Sequence, residues 1–157
     1  MLRIFKKKDD KKELITAVAG TIRDLKDTYE KDFLPKHDVG FSIEAIDGEI
    51  VSPIEGDIIK ISPTQNAFTI KGDDITVIVQ IGEVTDDMVD GVFDPKVHKG
   101  NHINKGDVIC DVDMIKFSDL EIKYKVFIMV SADNDLDFYF KKSAGRADDG
   151  TILLKWR

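Results

Sequence analysis

The chain has 157 residues, 42% of them hydrophobic and 34% charged, which is the make-up of one ordinary soluble domain able to bury a core without staples. Its formal charge of −7 and isoelectric point near 5.0 offer phosphate no positive field in which to release counterions, which excludes a general nucleic-acid binder. A single cysteine, Cys110, excludes a disulfide framework and a thiolate cluster, and no run approaches the roughly 18 apolar residues of a membrane span, so a cytoplasmic location is expected.

Residues 1–12 read as a basic and apolar tail without the apolar core of a signal peptide, and residues 13–157 read as the domain proper. Such a tail either frays or forms a short amphipathic helix. In the second case Leu2, Ile4 and Phe5 insert into an anionic surface with the lysines at the headgroups, a peripheral membrane contact through residues 1–8.

From Glu13 onward, short apolar segments alternate with turn signals. The segments are 14–18, 41–46, 58–61, 68–70, 75–79, 108–112 and 126–130, rich in β-branched residues with period-two alternation. Asp47-Gly48, Glu55-Gly56, Lys71-Gly72, Lys105-Gly106 and Asp149-Gly150 punctuate them. The spacing predicts an all-β chain, a sandwich or barrel of short strands. Helix is expected only in two short connections, Thr85 to Val89 and Lys116 to Leu120, the latter started by Ser118-Asp119. Two hairpin signals echo one another, Ser52-Pro53-Ile54-Glu55-Gly56-Asp57 and His102-Ile103-Asn104-Lys105-Gly106-Asp107. Both lack the Met-Lys-Met or Asp-Lys-Ala setting that presents a lysine for modification, so a swinging-arm carrier is not expected.

Pro63-Thr64-Gln65-Asn66-Ala67-Phe68-Thr69-Ile70 resembles the strand T-N-H-A-F-S-I of glucose-type enzyme IIA, and Thr76-Val77-Ile78-Val79-Gln80-Ile81-Gly82 resembles its strand L-F-V-H-F-G. Ala17 to Ile22 is similar to its A-P-L-S-G-E-I without the proline, Gly40 to Ile43 to its G-x-G-I-A-I, and Ile50 to Ile58 to its M-V-A-P-V-D-G-T-I. His98 to Asp107 is similar to E-E-G-Q-x-V-K-V-G-D. The order and spacing agree over nearly the whole chain. The resemblance implies the β-barrel-like sandwich known as the duplicated hybrid motif, and a place in the bacterial phosphoenolpyruvate-dependent sugar phosphotransferase system.

In that family one histidine takes a phosphoryl group from the carrier HPr and passes it to a IIB domain, while a second steadies the phosphoryl oxygens. The resemblance places Asn66 and Gln80 at those two positions. A primary amide has its lone pair delocalised into the carbonyl, so neither forms a comparable phosphoramidate. Val84 falls where an aspartate flanks the second histidine, Asn134 falls near another acidic position, and Thr64 and Glu30 keep a hydroxyl and an acid that the family has. The apolar docking ring is also altered: Lys31, Asp32, His37, Asp38, Ser62 and Asp86 stand at typically apolar positions, with Phe33 and Ile78 remaining. Burying such charges unpaired opposes a dry contact, so docking to HPr and IIB is expected to be weak or absent and the protein partner is unidentified.

The resemblance and these replacements support three readings. The first is a catalytically silent homologue that regulates or scaffolds sugar uptake by binding. The second is a carrier that still moves phosphoryl groups through a displaced residue, His37 being the candidate. The third is a neutral pocket of Asn66, Gln80 and Thr64 for a small polar ligand such as a sugar.

No cofactor or metal is expected. His98 and His102 have helical ligand spacing, but Lys99-Gly100-Asn101 opposes helix, and they read as exposed loop histidines. The H-x-x-x-D and H-x-H strings of zinc peptidases sharing this fold class do not occur. Asp86, Asp87 and Asp90 with Asp94 lack an EF-hand arrangement and read as a solvated connection. Trp156 is expected to close the last strand over the core.

Overall fold

A computed structural model of the chain describes residues 12–28, 39–85 and 90–157. The basic tail up to residue 11, Glu30, Lys31, Asp32, Phe33, His37, Asp38 and Asp86 lie outside the described residues, as does nearly all of the helix expected over 85–89.

Period-two apolar segments fold as antiparallel strands because alternate side chains reach one buried face. In chain order these are β1 (Glu13–Ile15), β2 (Gly20–Asp24), β3 (Val39–Ala45), β4 (Glu49–Val51), β5 (Gly56–Ile61), β6 (Ala67–Lys71) and β7 (Ile75–Ile81). There follow β8 (Phe93–Pro95), β9 (His102–Ile103), β10 (Val108–Val112), the short helix α1 (Met114–Ser118), β11 (Lys125–Ala132), β12 (Phe138–Phe140), β13 (Ala144–Ala147) and β14 (Ile152–Trp156). Among the described residues they form one eight-stranded sheet, β13-β2-β3-β11-β7-β6-β5-β9, and two three-stranded sheets, β1-β14-β12 and β4-β10-β8.

All three sheets share one core in a sandwich-like arrangement. Phe41, Phe68, Ile70, Val77, Val79, Ile81 and Ile128 from the large sheet meet Ile50, Ile109 and Cys110 from one small sheet and Leu14, Leu154 and Trp156 from the other. Burial of β7 alternates without exception: Ile75, Val77, Val79 and Ile81 point inward, while Thr76, Ile78 and Gln80 point to the other face. On that second face Gln80 stands beside Phe127, which stands beside Ser42, by register across β7, β11 and β3.

The echoing hairpins meet one another. Ser52 N–H donates to Asp107 O at 2.8 Å and Gly106 N–H returns to Ser52 O at 2.9 Å, so the two turns brace each other across the small and large sheets. Gly56 is required here, because a Cβ would fall 2.5 Å from the Lys71 carbonyl oxygen across the β5–β6 pair.

Helix α1 begins earlier than the sequence suggests. Asp113 caps it, its carboxylate accepting from Lys116 N–H at 3.0 Å, and Asp119 is the C-cap. The Ser118-Asp119 pair ends the helix, since the Ser118 hydroxyl turns back to Ile115 O at 2.6 Å. An Asp cap outcompetes the later Ser because Phe117 must face the core.

Candidate functional site

Residues 62–66 make the tight connection from β5 to β6, with Ser62 N–H donating to Ala67 O and Gln65 N–H to Ser62 O, each at 2.9 Å. Gln65 takes φ of +63°, a left-handed turn that brings Asn66 under the end of β7. Ile81 N–H donates to Asn66 O at 2.7 Å, and the next register pair joins Ala67 to Gln80. The antiparallel pairing of β6 and β7 therefore sets Asn66 and Gln80 side by side.

Asn66 is buried, with 5% of its surface exposed, and its amide is fully occupied. The NH2 group donates to Ile81 O at 3.1 Å and to Gly82 O at 3.4 Å. The amide oxygen accepts from the Thr64 hydroxyl, and Ser62 Oγ lies 3.2 Å from it. Ser62 Oγ also lies 3.1 Å from Thr64 Oγ1 and accepts from Ala67 N–H at 3.0 Å. Each hydroxyl has one proton, so one directional chain satisfies the set: Ala67 N–H to Ser62, Ser62 to Thr64, Thr64 to Asn66, and Asn66 to the two carbonyls. Every group in that chain is neutral.

Gln80 is half-buried and its Nε2 donates to the same Gly82 carbonyl at 3.1 Å. Gly82 has φ of +69°, and a Cβ there would fall 3.0 Å from the ring of Phe117. Helix α1 thus packs hard against the residue on which both amides converge.

The sequence-predicted residues separate into groups. Asn66, Gln80 and Thr64 come together as expected. Ile78 lies two residues before Gln80 on the same face of β7 and is half-buried. Val84 packs against the edge of the core. The partly exposed Ser62 engages its hydroxyl in the Asn66 network. Asn134 is not at this site. It follows Asp133, whose N–H donates to Asp74 O and whose carboxylate pairs with Lys71, at the other end of β6 and β7. Sequence reasoning missed the carbonyls of Ile81 and Gly82, which carry no side-chain signature.

The other ionisable candidates stand elsewhere. His98 forms no helical pair with His102; its N–H donates to the Asn101 side chain at 2.8 Å in a turn. His102 is not a loop histidine but part of β9, where its Nδ1 lies 2.7 Å from Asp57 Oδ1 and its Nε2 lies 2.9 Å from Glu55 Oε2. Those two hydrogen bonds, Glu55 first, raise its pKa above the usual histidine value. Burial pushes the Cys110 thiol up to about 12, so it stays protonated at neutral pH and is a poor nucleophile. Among the described residues no cluster of three or more His, Cys, Asp or Glu side chains is arranged to hold a metal ion, and no helix is long and apolar enough to cross a membrane.

A family model described as phosphoenolpyruvate-dependent sugar phosphotransferase system, EIIA 1, matches residues 12–136. The PTS system glucose-specific EIIA component of Halalkalibacterium halodurans is 34% identical over 145 residues, which covers 90% of this chain and 84% of that one. A protein of the same name from Staphylococcus aureus is 36% identical over 69 residues, covering 43% and 42%. The glucose permease IIA from Mycoplasma capricolum shares the fold, with a TM-score of 0.76 at 21% identity over 90% of this chain and 93% of its own. With the family match over residues 12–136 and a relative 34% identical that is covered over 84% of its length, the chain belongs to the EIIA 1 family of the phosphoenolpyruvate-dependent sugar phosphotransferase system.

Proposed function

We propose that this chain is a glucose-type EIIA homologue that accepts no phosphoryl group at Asn66 and Gln80 and acts by binding a protein partner, as a regulatory component of sugar uptake in the cytoplasm. The observation that carries this reading is the closure of Asn66. Its nitrogen has no available lone pair, and both of its protons are held by the Ile81 and Gly82 carbonyls. Its oxygen accepts from the Thr64 hydroxyl, with Ser62 Oγ close beside it. A phosphoryl donor approaching this position meets neither a nucleophile nor a free N–H to steady its oxygens.

The same closure weakens the polar-ligand reading, which needs Asn66 to turn outward and give up its bonds to the Ile81 carbonyl and the Thr64 hydroxyl. Transfer through His37 rests on a residue outside the described ones. His102 is a poor substitute acceptor, since both of its ring nitrogens are engaged by carboxylates. Weak docking of HPr and IIB rests on the replaced ring positions read from the family resemblance and remains part of this proposal.

The full chain is incubated with phosphoenolpyruvate, enzyme I and HPr, and intact mass is read under alkaline conditions that preserve phosphohistidine. No mass increase is expected. A stoichiometric phosphoryl adduct mapped to His37, His98 or His102 overturns the reading. Capture from the native cytoplasm with the same chain then identifies the partner.

A further inference from the structure

His102 is in register with Asp57 and through it with Lys71, about five strand residues from Asn66, at the opposite end of β5 and β6 and roughly 17 Å along the strands. There it faces Asp57 directly in the β5–β9 register, and Glu55 approaches its other ring nitrogen. A carboxylate at neutral pH has no proton to donate, so the ring satisfies both contacts only as an imidazolium donating through both nitrogens. The neutral ring donates through one nitrogen and turns a lone pair toward the other carboxylate.

What this contact fastens is a short piece of sheet. Strand β9 has two residues, and beyond their pairing with Gly56 and Asp57 the segment is held by Ile58 N–H to Asn101 O at 2.8 Å and Gly100 N–H to Ile58 O at 2.7 Å. Ile103 supplies the buried anchor. The segment forms one wall of a cleft of about 810 Å³ whose floor includes Ile54, Ile75 and Trp156.

Most of the other charged groups lining this cleft are engaged away from the ring. From the β6–β7 turn, Lys71 pairs with Asp133 at 3.0 Å, and Asp74 accepts from Trp156 Nε1 at 3.2 Å and lies 3.9 Å from Lys12. Asp73 lines the same turn. From β1, the buried Glu13 lies 3.0 Å from Lys155 and 3.9 Å from Lys105, which follows β9.

We infer that His102 is a proton-operated clamp: protonated, it ties the 98–105 segment to the start of β5 through Asp57 and Glu55, and on losing its proton it releases one carboxylate and loosens that wall of the cleft. The raised pKa gives the sign. A histidine whose pKa is raised by folding contributes stability below its unfolded value, near 6.5, and that contribution disappears as pH rises through the folded value.

The test uses the full chain. Ring resonances of His102 are followed by NMR through the pH range, and hydrogen-exchange protection is measured at the Ile58 and Gly100 amides after correction for intrinsic rates. The parent is expected to titrate above about 6.5, with protection at both amides falling at least twofold across that midpoint. In the Glu55→Gln, Asp57→Asn double variant the midpoint is expected to drop, and in His102→Gln the protection is expected to lose its pH dependence. A parent midpoint unmoved by the double variant, or protection at Ile58 and Gly100 that is flat through the titration, overturns the inference.

Discussion

The two ends of the β5–β6–β7 ladder solve the same problem in opposite ways. At one end Asn66 and Gln80 converge on the Gly82 carbonyl within a neutral, largely buried network. At the other, His102 and two carboxylates form an exposed charged cluster beside an open cleft. The first arrangement depends on matching every lone pair with a proton, so it is insensitive to pH and salt but intolerant of substitution. The second depends on a charge, so it tolerates substitution and responds to both. On the proposed reading, the amides at one end are structural, and the group proposed to respond to pH stands at the other.

That contrast is most severely tested from the middle. Phe68 is fully buried in β6 between the two ends. Phe68→Ala is expected to cost about 3–5 kcal/mol, and denaturant unfolding followed at both ends should show one transition. Separate transitions would mean that the ends do not share a core.

Next in size is Asn66→Leu, which takes the acceptor from the Thr64 hydroxyl and the side-chain donor from the Ile81 carbonyl, and leaves the Gly82 carbonyl to Gln80. A loss of about 2 kcal/mol is expected from leaving buried polar groups unsatisfied, read as a shift of denaturation midpoint with unchanged slope. Ser62→Ala removes the acceptor for Ala67 N–H and should cost about 1 kcal/mol. A neutral Asn66→Leu would show that the network is ornamental and would reopen the pocket as a ligand site.

At the charged end the expected effect is smallest and depends on pH. His102→Gln should lower the thermal midpoint relative to the parent below about pH 6.5, and the difference should shrink as pH rises through the raised pKa of His102. A difference that grows with pH would reverse the assigned charge state. Placing histidines at the neutral end, Asn66→His with Gln80→His, asks whether the scaffold alone suffices: if the replaced docking-ring positions block HPr, the double variant stays unphosphorylated in the complete relay.

Much of the fold was legible because burial in this chain follows period two closely. Ile75 to Val79 reads as a strand at sight, and its extension to Ile81 needed only the knowledge that Gln80 pairs with Ala67. Strand β13 was not legible: Ala144, Gly145 and Arg146 are exposed, and the segment is a strand because β2 offers it an edge, not because its pattern demands one. The start of α1 was misplaced because two Ser or Asp caps compete within five residues and only packing of Phe117 decides between them.

At the site, the pairing of Asn66 with Gln80 was readable from the family strings. The partners that close it were not, since backbone carbonyls leave no trace in a sequence. Nor was the setting of His102, whose carboxylates are 45 and 47 residues away and meet it only through the β5–β9 register.

The Gly82 carbonyl accepts from both amides, and a carbonyl oxygen has two lone pairs. Positions 66 and 80 are therefore not independent alleles of one site but a linked genotype: replacing either changes what the other is bonded to. A double-mutant cycle across them should be non-additive.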